Sequence, residues 1–257
     1  MMRPVRRSSS SSGESLRVRW HPRDFPLREP AEAVLRAAVR ELSLESVVRD
    51  LHVHIDPQNR DDHAYIEWNT HDHRAARLSF AIGNFVTRAR RRAWARTWGN
   101  RPGPPPILPR QFSARSFAEA CLHELSHLRD DHQSGVDLTG APASEREALN
   151  ELWNVWIDGR LNRRGLPAMT RGERRRVYAR TLRGAARFRA RGERVFQALW
   201  NADHLGPREL RAYLAELTGV PTPSRPGIRP QLRRRTPRTQ RARKARSART
   251  ARNTRDE

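Results

Sequence analysis

Cysteine occurs once in 257 residues, at Cys121, which excludes an internal disulfide framework and any cysteine-based zinc site. The reducing interior of a cell, the cytoplasm, is the expected compartment. Lysine also occurs once, at Lys244, so arginine supplies nearly all of the 51 basic residues. A bias that uniform reflects a GC-rich coding sequence, so the choice of arginine over lysine is not itself read as function. Acidic residues are scarce: 28 against 51 leaves a formal net charge of +23, enough to bind polyanions non-specifically whatever the chain's purpose. No apolar run approaches the roughly 18 residues of a membrane span. The opening "MMRPVRRSSSSSGES" has arginines with no apolar stretch behind them, so it does not read as a secretory signal. Hydrophobic residues make up 36%, thin for a chain of this length that folds throughout, and unfolded tails are predicted.

What is present falls into three parts. Residues 1–28, rich in Ser, Arg and Pro without periodicity, read as a disordered leader. Pro30 then opens "AEAVLRAAVRELSLESVV", an amphipathic helix with proline near its first position. "LHVHID", "AYIEWN" and "ARLSFAIG" have period-two character and predict a small sheet, with Leu51, Val53 and Ile55 facing the core. "FVTRARRRAWARTW" reads as a basic helix and "GNRPGPPPILPRQ" as a loop. Helical periodicity resumes near Ser113. A second helix is expected from Ser144, where Glu147 stands at capping-box spacing, to about Arg164. Arginine-rich helices follow over 171–218. From Pro221 to Glu257 there are 13 basic and 2 acidic residues, a net +11, with almost nothing apolar. Residues 219–257 therefore read as a disordered tail able to touch nucleic acid non-specifically. The folded part is expected over 29–218, with an α+β composition.

The stretch "EACLHELSHLRDDH" carries the chemistry. On a helix, His123 and His127 lie about 40° apart, so both imidazoles can reach one ion. Phe117, Cys121, Leu125 and Leu128 fall on the opposite face, and burying them turns the histidines toward a cleft. Glu124 sits beside them, where a carboxylate can take a proton from water without ligating a metal. A third ligand is required. His132 points roughly 180° from His123 on a continuous helix and could bind only if the helix broke. Glu147 has a job in the expected capping box. Glu151 and Asp158 lie on the second helix, where Asn154, Asp158 and Asn162 recur every four residues and can supply one ligand and its support.

The pair "HELSHLRDDH" and "LWNVWIDGRLN" resembles a bacterial metallopeptidase domain, a zincin usually fused ahead of a von Willebrand factor A-like domain. That family's pattern is His-Glu-x-x-His, another His five residues on, then Trp-Asn-x-x-x-Asp-x-x-x-Asn. The resemblance runs from His123 to Asn162. It implies a compact zincin-like fold with a small sheet, an active helix and a second ligand-bearing helix. It further implies Zn²⁺ as cofactor, His123 and His127 as ligands, Glu124 as catalytic carboxylate and Asp158 as third ligand. His132, Trp153, Asn154 and Asn162 fall on the remaining positions of the pattern. After residue 165 the alternating pattern of a von Willebrand-like partner is missing. The expected activity is zinc-dependent hydrolysis of a protein or peptide substrate, with no membrane partner. The alternative is a nucleic-acid-binding protein with a structural or vestigial zinc site, for which His132 as fourth ligand would be the signature.

Overall fold

The computed structural model describes residues 15–68, 72, 74–97, 107–136, 138, 140–182 and 188–219. Among the described residues it is an α+β fold with seven α-helices and one four-stranded sheet. The strands are β1 (Arg17–His21), β2 (Asp50–Asp56), β3 (Ala64–Trp68) and β4 (Ala75–Ala81). Their order is β1-β2-β4-β3; β1 and β4 run parallel to β2, and β3 lies antiparallel to β4 at the edge. Leu51, Val53 and Ile55 pair in register with Ala76, Leu78 and Phe80, and all six are buried, as the period-two pattern requires. Helix α1 (Arg28–Glu41) buries Ala31, Leu35, Ala38 and Val39 and packs against α3 (Ala114–Ser134).

The leader expected over residues 1–28 does not hold from Arg17 onward. Arg17–His21 forms β1, and Trp20, Phe25 and Leu27 enter the core, with the Trp20 indole donating to Glu32 at 3.0 Å. Arg17 and Arg19 project outward and hide a strand that is buried on one face only. Its partner lies more than thirty residues away. The expected tail beyond Gly219 lies outside the described residues, as do residues 1–14.

Helix α2 (Arg88–Thr97) is the basic helix, and its Trp94 is buried, as an anchor to the core rather than an open stacking platform. Helix α3 starts behind Ser113, whose hydroxyl accepts from the Ser116 amide, and runs unbroken past His132. Gly135, at φ 63°, ends it in the left-handed conformation, its N–H donating to the Asp131 carbonyl. Helix α4 (Ala143–Arg163) begins one residue before Ser144, and the expected capping box does not form: Pro142 occupies the cap and makes no side-chain hydrogen bond. Helices α5 (Arg171–Thr181), α6 (Phe188–Asn201) and α7 (Pro207–Thr218) then pack around α4. Leu149, Leu152, Val155, Trp156, Ile157 and Leu161 of α4 are buried, and so are Glu151 and Asp158. Gly159 lets α6 approach: a Cβ there would meet the Trp200 carbonyl oxygen at 2.3 Å.

Candidate functional site

Two helices and one edge strand meet at a cleft of ≈ 1690 Å³. Helix α3 contributes His123, Glu124 and His127, α4 contributes Asn154 and Asp158, and β3 forms one wall. Phe117, Cys121, Leu125 and Leu128 are buried on the core side of α3, which fixes the rotation of the helix and turns the histidines toward α4. Burial also pushes the Cys121 thiol well above its usual pKa, and it serves as a small core residue.

The Nε2 atoms of His123 and His127 each lie 3.0 Å from the same atom, Oδ1 of Asn154. The two rings meet edge to face, 5.1 Å between centroids. The other ring nitrogen of His123, Nδ1, donates to Asp158 Oδ1 at 2.9 Å. Asp158 therefore sits on the far side of His123 from the point where the imidazoles converge. Its second oxygen accepts from Arg174 Nε at 2.6 Å, and the same guanidinium reaches both oxygens of Glu151 at 3.3 and 3.4 Å. Asn154 stands three residues after Glu151 on α4, with its amide oxygen toward the two histidines. His127 packs against Trp153, 4.4 Å between centroids, and the Trp153 indole donates to buried Asp130 at 3.0 Å. Arg160 clasps Asp130 through both terminal nitrogens and lies over Trp156. Asn162 donates to the carbonyls of Asp158 and Met169, tying α4 to the turn before α5. Each polar residue of the Trp-Asn-x-x-x-Asp-x-x-x-Asn pattern thus has a distinct contact; Asp158 is buried, Asn154 half-buried and Asn162 exposed.

The electrostatics follow from burial and these pairings. Burial pulls His123 toward its neutral form, but the Asp158 charge and hydrogen bond, with Glu124, raise it above the usual histidine value. His127 has no such carboxylate; burial, then the charge on His123, push it well down. Burial raises Glu124, and His123, His63 and Arg174 hold it back only in part. Asp158 resists burial because Arg174 and His123 stabilise its charge, so its pKa falls below the usual range. Glu151 goes the other way, burial prevailing over Arg174.

Of the remaining candidates, His132 is exposed in the last turn of α3, and Glu147 is exposed on the cleft wall. Arg174 was not legible in advance: it stands in "RGERRR", where its neighbours are arginines facing solvent. Asp130 was also missed, although it lies three residues after His127, one turn along the same helix. Among the described residues no three His, Cys, Asp or Glu side chains converge as a metal-binding group. Two imidazoles and an amide oxygen do converge, a donor set of two nitrogens and one oxygen that could hold a divalent metal ion. Among the described residues no helix is long and apolar enough to cross a membrane. Comparison with protein-family models, with curated proteins and with solved structures found no match.

Proposed function

We propose that the protein is a zinc-dependent peptide hydrolase of zincin-like organisation, as the resemblance of the His123–Asn162 region suggests. The observation that carries this reading is the convergence of both Nε2 atoms on one point, with Glu124 beside them in the cleft. His123 and His127 would hold the ion there, and when bound it would supply Lewis acidity toward a carbonyl and a water molecule. Glu124 then takes a proton at its carboxylate as the water attacks. Its burial, which favours the protonated form, suits it to pass that proton on to the departing amine. β3 offers the substrate its place: it ends the sheet, lies antiparallel to β4 and lines the cleft beside α3. An extended segment added to this edge would run its backbone past Glu124 with main-chain hydrogen bonds alone.

Charge supports a polypeptide over a nucleic acid as the occupant of the cleft. Although the chain carries +23, nine carboxylates line the cleft against five arginines. Polyanions are repelled there, whatever they meet on the basic surface outside it. The rival reading, a closed structural zinc site in a nucleic-acid-binding protein, needs a fourth side chain. Its expected source, His132, is exposed on an unbroken helix and does not line the cleft.

Glu124→Gln tests the proposal. The variant should keep its fold and its zinc and lose hydrolysis of unstructured peptides by at least about 100-fold, the usual worth of a general base. Equal turnover by the variant and the wild-type chain would overturn the role of Glu124. A wild-type chain inactive on varied peptides and proteins while it binds nucleic acid would favour the rival.

A further inference from the structure

The expected third ligand, Asp158, stands on the wrong nitrogen for that task. Its Oδ1 accepts from Nδ1 of His123 at 2.9 Å, whereas the side of the ring shared with His127 is Nε2. Its Oδ2 is engaged by Arg174 at 2.6 Å, and the residue is 1% exposed. Both carboxylate oxygens are thus committed away from the point of convergence. The atom at that point is Asn154 Oδ1, 3.0 Å from each Nε2. Ligands bound tetrahedrally at about 2.0–2.1 Å lie about 3.3 Å from one another, so these spacings already approximate those around one ion. A carboxylate that accepts from the far nitrogen of a ligating imidazole fixes its tautomer and rotation without touching the metal.

We propose that Asn154, through Oδ1, is the third protein ligand to the metal, and that Asp158 is a positioning residue acting through His123. The assignment rests on the metal-dependent reading above. Arg174 bears on both: it holds Asp158 against His123, and it pairs with Glu151, three residues before Asn154 on α4. A neutral amide in place of the usual carboxylate leaves the bound ion with its full double charge. Asp158, one bond removed, answers that charge through the imidazole.

The test uses the full chain, zinc competition against a chromophoric chelator, and the visible spectrum of the Co²⁺-loaded protein, which reports the ligand set independently of turnover. Asn154→Asp should bind zinc at least about 10-fold more tightly and change the Co²⁺ spectrum, because a charged oxygen replaces a neutral one on the metal. Asn154→Ala should weaken binding and also change the spectrum. Asp158→Asn should weaken zinc binding by about 10–100-fold yet, once saturated, keep the wild-type spectrum. Circular dichroism checks that each variant folds, and Asn154→Asp keeps the side-chain size should the alanine fail. A spectrum altered by Asp158→Asn and untouched by both Asn154 variants would overturn the assignment and make Asp158 the ligand, with the metal reading intact. A wild-type chain that takes up no more zinc than His127→Ala would overturn the metal reading and this assignment together.

Discussion

Arg174 shows how much the site depends on one side chain outside its motif. It is 5% exposed and pairs with two carboxylates that are themselves buried, Asp158 at 1% and Glu151 at 5%. Removing one partner of such a group leaves charge without compensation, which costs more than the pair contributes. Arg174→Met should therefore lower stability by about 3–5 kcal/mol at neutral pH, measured by urea denaturation. The pH dependence has a definite sign. In the wild-type chain the lowered pKa of Asp158 gives stability that is present above the unfolded carboxylate value and lost as pH falls through the folded one. Without Arg174, burial raises both folded carboxylates above their unfolded values, so the deficit is fully present at neutral pH and shrinks on acidification as they take up protons. The gap between variant and wild type should narrow toward pH of about 5. A gap that widened would mean that these carboxylates find other counter-charges.

At the scale of elements, α4 is where legibility was most uneven. The four-residue spacing of Asn154, Asp158 and Asn162 was plain in the sequence. Whether the polar stripe met water or protein was not, because that depends on α5, which returns over α4 after the turn at Gly165. The histidine pair was legible because a helix fixes the angle between residues four apart. β1 was not, because parallel pairing leaves no local turn signal and its outward residues are arginines. Gly159 offers a test of how tightly α4 is enclosed. Its absent side chain makes room for the Trp200 backbone, which cannot move as a flexible side chain would. Gly159→Ala should lower stability by about 1–3 kcal/mol despite the better helix propensity of alanine, measured by thermal or urea denaturation. A neutral or stabilising result would mean that α6 shifts freely on α4.

The whole molecule divides its charge between a net-acidic cleft and a strongly basic remainder. Residues after Val220 carry +11 of the +23, and the compact unit of the chain ends there. Truncation after Val220 should weaken binding to DNA or RNA and flatten its dependence on salt, while peptide hydrolysis and zinc content stay as they were. Unchanged nucleic-acid binding would move that affinity to the arginines of α2 and α5–α7; lost hydrolysis would give the terminal residues a part in the cleft. β3, finally, has a bearing on how the protein behaves at high concentration. An exposed sheet edge invites a second copy of the same strand, the usual start of aggregation. Near the middle of β3 stands exposed Glu67. Two copies meeting edge to edge would bring like charges close to one another, which opposes pairing, whereas a peptide without an acidic residue there meets no such barrier. If β3 receives an extended peptide as proposed, the same residue that leaves it open to that peptide would close it to a second copy of itself.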